Sequence, residues 1–138
     1  MKPRHRSAGR AALTNPNGRF EPYAVEAVDD GWDREDDLPP LRTEVSDEAP
    51  RRIITRNTSP DISFDRSINP YRGCEHGCIY CFARPSHEFL GYSPGLDFET
   101  RLVAKPTAPA LLERELRAKS YQPQVIAIGT NTDPYQPI

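Results

Sequence analysis

Apolar residues are spread unevenly along this chain, and their spacing changes character near position 52. Before it, few recur with the period of a helix or a strand, which predicts a flexible, charged and largely disordered leader over 1–51. After it, Ile53, Ile54 and Thr55 form a short β-branched run. SPDISFDRSINPY then alternates apolar with polar through Ile62, Phe64 and Ile68, the period of a half-buried strand that Pro70 should end. A short helix is expected near Arg84 to Leu90, then a short strand through FETRLVAK. The clearest helical signal follows. Thr107 precedes a first turn holding Pro109, Leu112 and Leu116 stand at i and i+4, and Leu111 widens the stripe. Glu113–Arg117 and Glu115–Lys119 are spaced to pair on the outer face of this helix of about three turns. VIAIG, residues 125–129, is a continuous apolar run of the kind carried by strands buried on both faces. Strand, helix and buried strand read as a right-handed βαβ unit of a parallel sheet, an α/β fold. The chain stops at DPYQPI directly after its best strand, and a parallel sheet of two or three strands buries itself poorly. The expectation is therefore the N-terminal part of a larger α/β domain, with 52–138 as its core.

Composition narrows the picture. Fifteen prolines and eight glycines in 138 residues of 36% apolar content mean that the core must be drawn from about half the chain. Eighteen Lys and Arg against twenty Asp and Glu give a net charge of −2, which provides no general attraction to nucleic acid or to anionic lipid. Only Lys2, Arg4, Arg6 and Arg10 form a local basic patch, and EAVDDGWDREDDLPP is strongly acidic. No apolar run approaches the roughly 20 residues that span a bilayer, and the basic N-terminus lacks the apolar segment of a secretory signal. A soluble, cytoplasmic protein without a membrane partner is expected. Phe20, Tyr23 and Trp32 are aromatics in a polar leader, so GRFEP and DDGW are its expected docking points.

All three cysteines, Cys74, Cys78 and Cys81, fall within GCEHGCIYCF, residues 73–82. Three cannot all pair within one chain, and any two would close a very tight loop, so a reducing compartment and a metal fit better than a disulfide framework. The spacing C-x3-C-x2-C lets three thiolates converge on one centre. Gly73 and Gly77 permit sharp turns that leave backbone N–H groups near the sulfurs. A closed structural zinc site takes four ligands and would recruit His76 or His87. An iron–sulfur cube usually takes four cysteines; with three, one iron stays open to an outside ligand. Three buried apolar cysteines are the plainest alternative, and the polar neighbours Arg72, Glu75 and His76 argue against it. Spacing alone leaves cluster and zinc both open. Arg72 and Arg84 are placed either to offset the charge of such a centre or to be solvated, and Lys105 reads as structural or exposed.

An aromatic, Tyr80, directly before the third cysteine makes the motif similar to that of the radical S-adenosylmethionine (radical SAM) superfamily. The surrounding SPDISFDRSINPYRGCEHGCIYCFARPSH, SPGLDFET and IGTNTDPYQP resemble a bacterial branch related to spore photoproduct lyase, and NPNGRFE and DDGW in the leader extend the likeness over most of residues 8–138. The resemblance implies that Cys74, Cys78 and Cys81 hold a [4Fe–4S] cluster whose open iron takes the amino and carboxylate groups of S-adenosyl-L-methionine. Reductive cleavage of that cofactor would yield a 5′-deoxyadenosyl radical, with the electron drawn from an external donor of flavodoxin or ferredoxin type. It also implies a partial (β/α)6 barrel, with the cluster in the loop after the first strand. SINPY would lead into that loop, and VIAIG would be a following strand. Tyr80 would lie near the adenine, and Gly129, Thr130, Asn131, Thr132 and Asp133 near the methionine end of the cofactor. By periodicity alone that last stretch is equally a polar turn rich in Thr and Asx. Further βα units of such a barrel, which carry most of the substrate pocket, are not in this sequence. The expectation is an incomplete barrel, a fragment inactive alone, whose catalytic residues and substrate are unknown and whose kinship leaves a nucleic-acid substrate open. The alternative is a non-enzymatic zinc module with three cysteines and one histidine, its basic N-terminus touching nucleic acid.

Overall fold

The computed structural model describes residues 12, 14–24 and 41–138, so the basic start, Trp32 and the acidic stretch lie outside the described residues. Among the described residues the strands are β1 (Glu44–Asp47), β2 (Ile54–Arg56), β3 (Arg66–Ile68), β4 (Tyr71–Arg72), β5 (Arg101–Ala104) and β6 (Ile126–Ile128). The helices are a 3-10 helix (Arg84–Leu90), α1 (Leu96–Thr100) and α2 (Ala108–Leu116). The strands form two three-stranded sheets, in the orders β1-β5-β4 and β2-β3-β6. In the first, β1 runs parallel to β5 and β4 antiparallel to it. In the second, β2 is antiparallel to β3, with Ile54 opposite Ile68, and β6 is parallel to β3, with Ile68 opposite Ile128.

This arrangement revises the expected βαβ unit. The strand before α2 and the strand after it belong to different sheets, and the parallel neighbour of β6 is β3, far back in the chain. Periodicity reports which residues are apolar, whereas strand pairing depends on partners distant in sequence. FETRLVAK is a strand only in its second half: Leu96–Thr100 is helical, and Thr100 back-bonds to Leu96 through its hydroxyl at 2.7 Å. VIAIG is not buried on both faces. β6 is an edge strand, paired on one side only, with Val125 and Ile128 exposed. The folded part also begins before Arg52, because β1 lies within the segment expected as leader and pairs along its whole length with β5.

Residues 14–24 dock where GRFEP was expected to. Phe20 stacks at 5.2 Å on Phe89 of the 3-10 helix, Arg19 pairs with Glu88 at 2.7 Å, and the Asn15 carboxamide accepts the Asp97 N–H at 2.8 Å. That last bond satisfies one of the orphan donors at the start of α1, a cap supplied from another part of the chain.

Among the described residues, two apolar clusters form the core. Ile53, Ile68, Ala108 and Leu111 form one, flanked by Ile54, Leu112 and Ile126. The inward stripe of α2 is thus Ala108–Leu111–Leu112–Glu115, at i, i+3, i+4 and i+7, while Leu116 is exposed. Glu115 does not pair outward as its spacing with Lys119 predicts; its carboxylate accepts the Ile53 and Ile54 N–H groups at 2.6 and 3.4 Å, tying α2 to the start of β2. Glu113–Arg117 does form, at 2.7 Å. The second cluster gathers Cys74, Ala83 and Phe98, with Cys81 against it. Two of the three cysteines therefore sit on core.

Candidate functional site

Because β3 and β6 run parallel, both end at the same edge of their sheet, and the loops that leave them meet there. The Gly129 N–H donates to the Ile68 carbonyl at 2.9 Å, closing the pair. Gly129 has φ +75°, and a Cβ there would fall 2.5 Å from the Pro134 ring, so this turn requires glycine. Asn69 then bridges the loops: its amide N–H donates to the Thr130 hydroxyl at 3.0 Å, and its carbonyl oxygen accepts the Asn131 N–H at 2.9 Å. Thr132 is buried, and its hydroxyl donates to the Tyr71 carbonyl at 3.3 Å. His76 donates from Nε2 to the Tyr135 carbonyl at 3.1 Å, with the Asp133 carboxylate 3.5 Å from the same nitrogen. Gln136 completes the seam. Its Oε1 accepts the Glu75 N–H at 2.9 Å, and its Nε2 lies 3.2 Å from the Cys74 sulfur and 3.0 Å from the Asp133 carbonyl.

The cysteine loop is shaped from beneath. Gly73 and Gly77 both have positive φ, +74° and +59°, and a Cβ on Gly77 would stand 2.9 Å from the Glu99 carboxyl carbon. Glu99 is wholly buried and forms a 2.6 Å ion pair with Arg84. The Arg84 fork extends to the Cys78 carbonyl, at 3.0 and 3.3 Å, and its guanidinium lies over the Phe98 ring. The Cys74 N–H is held by the Phe98 carbonyl at 2.9 Å, and the Cys81 N–H by the Cys78 carbonyl at 3.1 Å.

Donor chemistry and donor geometry point different ways. Three free cysteines on one eight-residue stretch, two glycine turns and an amide aimed at a sulfur are the parts of a thiolate site. Yet Cys74 is buried, Cys81 half-buried and Cys78 exposed, and among the described residues no group of three His, Cys, Asp or Glu side chains stands together in a way that could hold a metal ion. Neither histidine joins them. His76 faces the Asp133–Tyr135 turn, and His87 is buried between Tyr92 and Phe98 with its Nε2 donating to the Arg101 carbonyl at 2.8 Å. Burial pushes the His87 imidazole below the ordinary histidine range, partly offset by its bond to Arg101 and the nearby Asp97 charge.

Of the expected cofactor contacts, Tyr80 is 86% exposed beside Ile79 and Phe82, both also exposed. Thr130 and Thr132 turn their hydroxyls into the seam and the exposed Asn131 contributes its backbone N–H, whereas Asp133 keeps an exposed carboxylate that also caps the Tyr135 N–H at 2.8 Å. Arg72 is engaged away from the sulfurs, in a two-pronged pair with Glu48 at 2.8 and 3.1 Å. Lys105 donates to the Asn69 carbonyl at 3.0 Å, and burial lowers its pKa. Sequence reasoning missed Asn69, Glu99 and Gln136. All three stood inside stretches that carry the resemblance, SINPY, SPGLDFET and IGTNTDPYQP, so their place in a motif was a usable signal, while the partners that give them their roles lie elsewhere in the chain.

Over 75 residues the chain is 52% identical to uncharacterized proteins of Mycobacterium bovis and Mycobacterium tuberculosis, a match that covers 54% of this chain and 22% of each of theirs. The match thus spans about a fifth of the length of these relatives. No protein-family model matches the chain. No solved structure matches it either. Among the described residues, no helix is long and apolar enough to cross a membrane.

Proposed function

We propose that this chain carries the cluster-binding segment of a radical SAM enzyme, with Cys74, Cys78 and Cys81 as ligands of a [4Fe–4S] cluster and the first strands of an incomplete (β/α)6 barrel around it. The observation that supports this reading best is the seam: two loops leaving parallel strands at one edge, fastened by Asn69, Thr132, His76 and Gln136, with an N–H aimed at the Cys74 sulfur. Ligand sites of open α/β sheets lie at such edges. When bound, the cluster supplies the electron that cleaves S-adenosyl-L-methionine reductively. In this reading the exposed Tyr80 and Asp133 face the cofactor, while Thr130, Asn131 and Thr132 hold the loop that presents it. Gly129 supplies the turn. The substrate class belongs to the whole enzyme, and free thiols of this kind fit the reducing cytoplasm, where flavodoxin- or ferredoxin-type donors supply electrons.

The test is anaerobic reconstitution of the full chain with iron and sulfide. A brown protein with broad visible absorption, near four irons per chain, and loss of both in Cys78→Ala is the expected result. A colourless protein that retains one stoichiometric zinc, lost on changing His76 or His87, would instead establish the zinc module.

A further inference from the structure

The Gln136 carboxamide has a determined orientation. The Glu75 N–H can only donate, so the atom 2.9 Å from it is Oε1, and the Nε2 must then face the Cys74 sulfur at 3.2 Å and the Asp133 carbonyl at 3.0 Å. Both Nε2 hydrogens are thereby directed, one at a carbonyl and one at a sulfur. Cys74 is the most deeply buried of the three cysteines, with its backbone N–H tied to Phe98, so this sulfur has a fixed position and a fixed donor.

We propose that Gln136 is the positioning residue of Cys74: its Oε1 clamps the cysteine loop at Glu75, and its Nε2–H on the sulfur raises the reduction potential of the cluster held there. The second half rests on the cluster reading above. The physical reason is electrostatic. Reduction adds negative charge that spreads over the ligating sulfurs, and an N–H directed at one of them stabilises the reduced form more than the oxidised one. The bond from Nε2 to the Asp133 carbonyl keeps the side chain folded over the loop.

Two substitutions separate the halves. Gln136→Glu keeps an oxygen for the Glu75 N–H and removes the Nε2 donors to the Cys74 sulfur and the Asp133 carbonyl; Gln136→Leu removes all three contacts. In the metal-free full chain, hydrogen exchange at the Glu75 amide should quicken about tenfold in Gln136→Leu, the worth of one ordinary hydrogen bond, and stay near wild type in Gln136→Glu. After anaerobic reconstitution all three proteins should hold the same iron. Redox titration followed by electron paramagnetic resonance should show a more negative midpoint in both variants, further so in Gln136→Glu. Equal iron with an unchanged midpoint overturns the tuning role and leaves the cluster reading intact. If wild type itself takes up no cluster, that reading fails and the tuning role falls with it. Glu75 exchange then decides the clamp alone: faster exchange in Gln136→Leu supports it, and unchanged exchange overturns it.

Discussion

Arg84→Met should be among the most damaging single changes in this chain. Arg84 is 14% exposed and its partner Glu99 is 0% exposed, joined at 2.6 Å. Removing the guanidinium takes from a fully buried carboxylate its 2.6 Å ion-pair partner, leaving it the Ala12 N–H at 2.9 Å, and breaking a buried pair in this way costs about 3–5 kcal/mol in comparable cases. Lost with it are the bonds to the Cys78 carbonyl at 3.0 and 3.3 Å and the contact with the Phe98 ring. A domain of this size holds only about 5–15 kcal/mol in all, so Arg84→Met should be close to unfolding. Glu99→Leu should cost less, about 2–3 kcal/mol, because Arg84 keeps carbonyl partners at Cys78, Pro94 and Gly95 and a route to water. Urea unfolding of wild type, both single variants and the double variant, followed by circular dichroism, gives the coupling. The double variant should be more stable than the sum of the singles predicts by about 2–3 kcal/mol. A cost below about 1 kcal/mol for Arg84→Met, or strict additivity, would refute the reasoning that this pair props the cysteine loop from below.

Two further outcomes follow from packing and charge. Leu111→Ala empties the centre of the cluster formed with Ile53, Ile68 and Ala108, and should cost about 2–4 kcal/mol in the same urea assay. Stability should also depend on acid pH in two steps. Burial holds the His87 pKa below 6.5, so the folded state resists a proton that the unfolded chain accepts; stability present above pH 6.5 is lost as pH falls from there, and His87→Phe should abolish that slope. The hydrogen bond from Arg72, assisted by its charge, holds Glu48 below 4.5 against the opposing effect of burial. Its contribution is present above pH 4.5 and lost below it, and Arg72→Met should flatten that lower step in urea midpoints measured against pH.

The short-range features were legible in the sequence because short-range physics makes them. Thr107 stands at the start of α2 with Pro109 in its first turn, although the Thr107 side chain makes no capping bond, and the short helix expected near Arg84 to Leu90 is a 3-10 helix that ends at Gly91 in the left-handed region. Of the alternation through Ile62, Phe64 and Ile68 only the last part is strand: β3 begins at Arg66, Ile68 is buried, and Ile62 is exposed outside it. Arg66 shares the buried face of Ile68, with its guanidinium bonded to the Gln122 carbonyl at 2.6 Å and set over Tyr121. What failed was inference from neighbouring elements to neighbouring strands. FETRLVAK, α2 and VIAIG follow one another in the chain, yet β5 and β6 lie in different sheets.

By itself the sequence determined the chemistry on offer: three thiols within eight positions, the glycines that let their loop turn, and the polar turn after VIAIG, all of them matters of residue type and spacing. Tertiary structure alone decided how those parts meet. Parallel pairing of β3 with β6 brings residues about 60 apart to one edge, where Gln136 reaches Cys74. The fold likewise buries Glu99 under Gly77 and leaves Cys78 in water. Each of these depends on a partner that no local pattern encodes, since burial and hydrogen-bond direction are set by what the chain returns to, not by what comes next along it.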